Sequence, residues 1–175
     1  EDEFEKRGEN VWVARDATVF PSAYIGSPCI IDHGAEVRHC AFIRGSAIIG
    51  KNTVVGNSTE IKNSILFDNV QAPHYNYIGD SVLGYKSHMG AGSITSNVKS
   101  DKTLVVIKSP DGNIETKRKK VGAILGDHVE IGCNSVLNPG TILGRGASVY
   151  PTSCVRGVIP ENGIYKDKDN IVIRK

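Results

Sequence analysis

The 175-residue sequence predicts an all-β chain wound as a single-stranded parallel β-helix, and three observations carry that expectation. Branched apolar residues return at every sixth position; small residues follow many of them four positions later; and glycine is abundant, with 19 copies, while aromatic residues make up only 6%. A six-residue beat matches neither the 3.6-residue period of an amphipathic helix nor the simple alternation of a strand. It suits a solenoid in which each hexad gives one short flat strand and one corner, and three hexads close a triangular coil. Such coils pair with their neighbours at about 4.8 Å and are stable only when stacked.

Taken in order, residues 1–12 form an N-terminal extension whose opening, Glu1-Asp-Glu-Phe-Glu-Lys-Arg7, is too charged for the apolar segment of a signal peptide. The beat then runs through Val13, Val19, Ile25, Ile31, Val37, Ile43, Ile49, Val55, Ile61 and Phe67, with small residues such as Ala17, Ala23, Ala35, Ala41 and Ala47 between. It slips from six to five between Ile78 and Leu83, just after His74 and the cluster Tyr75-Asn-Tyr77, so irregularity and function are expected together around His74. Residues 98–120 carry no beat. There Ser109-Pro-Asp-Gly112 reads as a turn between the strand-like runs Leu104–Ile107 and Asn113–Thr116, a long hairpin loop leaving one corner. The beat resumes at Leu125, Ile131, Leu137, Leu143, Val149 and Val155, so the β-helix domain is expected over 13–159. Residues 160–175, with Ile164-Tyr165 and Ile171-Val-Ile173, are expected to cap its open end.

The charge balance is even, 21 basic against 19 acidic residues, so no global field points to nucleic acid or to a membrane surface. No apolar run approaches the eighteen residues of a membrane span. Cys29, Cys40, Cys133 and Cys154 lack C-x-x-C spacing and disulfide-scaffold density, which points to a reduced, cytoplasmic protein. Of the five histidines none lies eighteen residues from another, so no convergent metal site is expected.

Three hexads per coil place residues eighteen apart above one another. Arg44 and Lys62 stand in that relation, each directly after an inward residue, so both should point outward side by side. Paired like charges repel. They are either spread in solvent, with Glu60 as a neutralising neighbour, or held for an anion, for which an Arg fork and a Lys point charge form a suitable phosphate seat. His74 is the side chain best poised to take a proton near neutral pH.

Four strings are closely similar to one family: Val55-Gly-Asn-Ser-Thr-Glu-Ile-Lys62, Ala72-Pro-His-Tyr-Asn-Tyr-Ile-Gly-Asp80, Gly90-Ala-Gly-Ser-Ile-Thr-Ser-Asn97 and Ile124-Leu-Gly-Asp127. Over residues 40–158 the chain resembles the hexapeptide-repeat acyltransferases, in particular the acetyltransferase domain of the bifunctional N-acetylglucosamine-1-phosphate uridyltransferase/glucosamine-1-phosphate acetyltransferase and the related archaeal sugar-phosphate nucleotidyltransferases. The resemblance implies a left-handed helix and a homotrimer with active sites between subunits. It also implies transfer of an acetyl group from acetyl-CoA to the amine of glucosamine 1-phosphate, or secondarily galactosamine 1-phosphate, without a metal. In this likeness His74 falls on the catalytic base and Asn97 on the asparagine closing the acetyl and sugar site. Arg44, Lys62, Tyr77 and Lys120 fall on sugar-phosphate contacts, with Glu60 nearby, and Ala91, Cys133 and Pro151 fall along the coenzyme.

The chain departs from the family where His88 replaces a sugar-holding asparagine, where Cys133 stands for a serine, and in the long 98–120 loop, which is closer to the archaeal group. No nucleotidyltransferase domain is seen before Val13, so uridyl transfer is not expected of this chain. Two other readings stay open: a hexapeptide acyltransferase with another acceptor, such as a nucleotide-linked amino sugar or an amino acid, and a non-catalytic β-helix scaffold.

Overall fold

The computed structural model describes residues 3–174; residues 1, 2 and 175 of the expected extension and cap lie outside them. Every regular element among the described residues is a strand. The strands stack into three flat walls, sheets of nine, seven and nine strands, visited in turn by the chain. All neighbours within a wall are parallel except at the two ends. The first wall starts at Val11–Ala14, and Phe4–Lys6 lies antiparallel on its edge. At the other end Gly163–Asp167 extends the second wall, and Asn170–Ile173 turns back against it, so both terminal strands close an edge that would otherwise offer unpaired backbone.

The interior is one column of side chains per wall. Val13, Ile31, Ile49, Leu66, Leu83, Leu125, Leu143 and Ile159 fill the first wall's column; Val37, Val55, Ala72, Met89, Ile131 and Val149 the second's; Ile43, Ile61, Ile78, Leu137 and Val155 the third's. Nearly all are fully buried. Where the walls meet most residues are small, among them Ala35, Ala41, Thr53, Thr59, Ser87 and Ser93.

The beat differs from expectation at one position. Leu66, not Phe67, points inward, and Phe67 is half-exposed. The chain therefore drops a residue twice, from Ile61 to Leu66 and from Ile78 to Leu83, both times at the corner between the third and first walls. The hexad carrying His74, from Leu66 through Ala72 to Ile78, keeps its full length in its two steps of six. The irregularity anticipated at His74 belongs instead to the corner of Lys62 and Asp80.

The arm leaves and returns at that same corner. Val98 bridges Lys120, and Val106–Ile107 pairs antiparallel with Ile114–Glu115. Val105 and Ile107 are buried where the arm folds back over Gly140; a Cβ there would lie 3.0 Å from Val105 and 3.2 Å from Ile107. Gly140 also holds a positive φ of 79°, so a side chain at this position is disfavoured on both counts.

Candidate active site

The two edges of the third wall carry different chemistry. At its leading edge, where the second wall hands over to the third, successive coils place one residue each in a straight column. His74 pairs with Asn57, and Gly92, Asn134 and Thr152 donate their backbone N–H to the carbonyls of His74, Ala91 and Cys133 at 2.8–3.0 Å. His74, Ala91, Cys133 and, one coil further by the same register, Pro151 thus form one ladder. The His74 side chain is exposed and faces outward from the turn made by Tyr75 at φ 52°.

Behind it Asn76 occupies the corner position that Ala, Ser or Thr fill in other coils, and it is 2% exposed. Its amide nitrogen donates to the Gly90 carbonyl at 2.9 Å, the Ser93 carbonyl at 3.1 Å and the Ser93 hydroxyl at 3.2 Å, while its oxygen accepts from the His74 N–H at 3.2 Å. An interior amide therefore ties the histidine's backbone to the coil above it.

The trailing edge collects the charges. Lys62 follows Ile61, which pairs with Ile43, so Arg44 and Lys62 do stand one rung apart. Neither is a bare cation. Arg44 Nη1 meets Glu60 Oε1 at 3.0 Å, and Lys62 Nζ meets both Asp80 oxygens at 3.3 Å. Asn63 Nδ2 donates to Asp80 Oδ1 at 2.6 Å, and Asn97 Nδ2 donates to Asp80 Oδ2 and to the Tyr77 hydroxyl. The Tyr77 ring lies across Gly79, where an added Cβ would fall 2.5 Å from the hydroxyl oxygen, so its tip reaches the trailing edge from the leading one.

Burial opposes ionisation of Asp80, yet the Asn63 and Asn97 hydrogen bonds and the Lys62 ammonium outweigh it and hold the carboxyl below its ordinary value. A folded value depressed in this way contributes stability that is complete above the unfolded carboxylate pKa of about 4 and lost as pH falls through the folded one. Thermal melts taken downward from neutral pH should show this contribution disappearing only below about pH 4.

Two expected residues lie elsewhere. His88 sits on the outer face of the second wall, its Nδ1 2.8 Å from Glu130, away from the Lys62 corner. Lys120 stands on the first-wall side of that corner, lining with Arg118, Asn63 and Asp80 a groove of about 740 Å³ whose floor is Trp12, Ile30, Ile48, Ile65, Val82 and Ile124. Sequence reasoning missed Asp80, Asn63 and Asn76. Asp80 lies eighteen residues after Lys62, the spacing that drew attention to Arg44, and could have been found by it.

A prism of parallel strands with a loop thrown from one corner defines a β-helix, and its match to the hexapeptide transferases is to a left-handed one. The chain belongs to the GMPPB C-terminal domain family, whose model matches residues 25–144. It is 37% identical over 114 residues to the bifunctional protein GlmU of Methanococcus maripaludis, an alignment covering 64% of this chain and 27% of that protein. It is 34% identical over 92 residues to a bifunctional sugar-1-phosphate nucleotidylyltransferase/acetyltransferase of Sulfurisphaera tokodaii, covering 53% and 23%. The chain thus spans about a quarter of the length of these curated relatives. A hexapeptide transferase family protein from Anaplasma phagocytophilum shares the fold, with a TM-score of 0.50 at 14% identity over 89% of this chain and 77% of that one. No helix among the described residues is long and apolar enough to cross a membrane.

Proposed function

We propose that the protein is an N-acetyltransferase that moves the acetyl group of acetyl-CoA onto the amine of an amino-sugar 1-phosphate, glucosamine 1-phosphate first. The observation that carries this is the width of the third wall. The strand Tyr77–Gly79 is two residue steps long, about 7 Å, with His74 three residues before it, around the corner from the second wall, and the Arg44–Lys62 pair at its far end. An amino sugar bearing its amine and phosphate on neighbouring ring carbons can lie along that strand, amine toward the imidazole and phosphate toward the cations, with the Tyr77 ring beneath.

In this reading the ladder of Ala91, Cys133 and Pro151 guides the coenzyme down to His74. His74 takes the amine proton as the nitrogen attacks the thioester carbonyl; the new C–N bond forms, the C–S bond breaks, and the thiolate leaves and is protonated to the free thiol. Such a step needs a base, orientation and a donor for the developing oxyanion. Lys62 and Arg44 give up part of their hold on Asp80 and Glu60 to the phosphate, Lys120 adds an arm-borne cation, and Asn97 with Tyr77 orients the sugar. Cys133 serves as a small corner residue rather than a nucleophile. His88, held by Glu130 on the outer face of the second wall, takes no part in this site. Four free thiols suit work in the reducing cytoplasm.

The working unit is a homotrimer. Two outer faces are apolar: the first wall shows Trp12, Ile30, Ile48, Ile65 and Ile124, and the third shows Tyr24 and Phe42, while the second shows Glu36, Gln71, His88 and Glu130. A prism with two such faces needs two neighbours, and a closed ring of three provides them. Placing a charge in the column, Ile65→Glu, should give monomers in a sedimentation experiment and abolish turnover; a trimer of full activity would reject this face.

The function itself is tested by following free-thiol release from acetyl-CoA with glucosamine 1-phosphate, galactosamine 1-phosphate, unphosphorylated glucosamine, a nucleotide-linked amino sugar and an amino acid. Release with the sugar phosphates above the others supports the proposal. Release with none of them leaves the chain a scaffold.

A further inference from the structure

We infer that Asp80 is the positioning residue of the phosphate end of the site, fixing the Asn97 amide and through it the Tyr77 hydroxyl while keeping Lys62 turned to the same point. This deepens the acetyl-transfer proposal and rests on it for the identity of the reaction. Three groups converge on the carboxylate, and all are donors: the Lys62 ammonium, the Asn63 amide and the Asn97 amide. Only an ionised carboxylate, which accepts at both oxygens and donates at neither, satisfies such a set; an amide in its place would turn a donor toward donors.

Position supports the role. Asp80 joins the coil below, through Lys62 and Asn63, to the coil above, through Asn97, and its side chain is only 8% exposed against 24% for Lys62. The corner it occupies is one residue shorter than usual in two successive coils, which draws Asp80 in over Asn63. The first-wall groove reaches the same residue, so the carboxylate also faces the place where Lys120 enters.

The arrangement has an opposing consequence. By neutralising Lys62, Asp80 weakens the site's grip on a simple anion while it sets the geometry that a sugar phosphate requires. Replacing it should therefore strengthen one property and damage the other, an outcome that general loss of structure does not produce.

The test is Asp80→Asn in the full chain, with Asp80→Ala, which adds no donor, used for the same readouts if the amide variant does not fold. Inorganic phosphate, titrated by NMR, should bind several-fold tighter than to the wild type. The kcat with glucosamine 1-phosphate should fall about 10²-fold, the size expected when a remote change misplaces reacting groups, while the KM for acetyl-CoA stays put because the coenzyme ladder lies on the other edge. The Asn97 side-chain amide signal should shift and broaden. An unchanged Asn97 signal, or phosphate binding that is equal or weaker, overturns the inference. Absence of acetyl transfer in the wild type would instead remove the proposed reaction, and the Asn97 and phosphate readouts would still decide the role of Asp80.

Discussion

His74→Ala is expected to lower acetyl transfer by about 10²–10⁴-fold, the usual worth of a positioned general base, while the prism and its binding of coenzyme A survive. The separation follows from how the histidine is held. Its carbonyl accepts from the Gly92 N–H and its own N–H donates to Asn76, whereas its side chain is exposed and fills no space in the core. Removing the imidazole therefore takes away a proton acceptor and little else. The change should appear in kcat rather than in the KM for the sugar phosphate, since the proposed phosphate contacts are Arg44 and Lys62, across the wall. Steady-state thiol release together with coenzyme binding by calorimetry checks both halves; near-normal turnover would remove His74 from the mechanism.

Asn76→Leu should cost about 3–5 kcal/mol of stability, the range of severe single-site losses. The substitution keeps the volume but deletes an amide whose two N–H hydrogens are shared among three acceptors and whose oxygen accepts one hydrogen bond in a fully enclosed corner. Each polar group left unpaired in such a place costs about 1–3 kcal/mol. At this chain length about 3–5 kcal/mol corresponds to a fall in Tm on the order of 10 °C, readable by circular dichroism. Asn76→Ser, which restores the residue type that neighbouring coils use at this corner, should recover part of the loss. Because Asn76 also binds the His74 N–H, the Leu variant should lose activity beyond its loss of stability.

The prism was readable because each coil asks the same things of its residues. A branched side chain must fill the axis, a small one must fit the corner, and the period of six states both at once. The arm was readable from Ser109-Pro-Asp-Gly112, since a turn signal between two β-prone runs survives any context, and Arg44 one coil below Lys62 followed from stacking alone. What failed is equally specific. Phe67 continued the count of six, but the chain shortens its corner there, which brings Leu66 inward and leaves Phe67 half-exposed. The pairing of each cation with a carboxylate was only half visible. Glu60 lies two residues from Lys62 yet binds Arg44 one coil below, and Asp80 binds Lys62 from one coil above. Such cross-coil pairs depend on side-chain reach and on a register that the shortened corners shift by one. Asn76 stood out only as part of the cluster beside His74, with no role of its own, because a buried amide and an exposed one are the same letter; only the corner geometry separates them.

The proposed reaction requires the third wall to bridge an amine at His74 and a phosphate at Lys62. The most direct measurement is the ratio of kcat/KM for glucosamine 1-phosphate to that for glucosamine, taken in the wild type and in Lys62→Met. A charge-assisted contact of about 1.5–3 kcal/mol predicts a strong preference for the phosphorylated sugar in the wild type that shrinks by roughly 10–100-fold in the variant. A wild type that treats both sugars alike, or a preference untouched by losing Lys62, would contradict it.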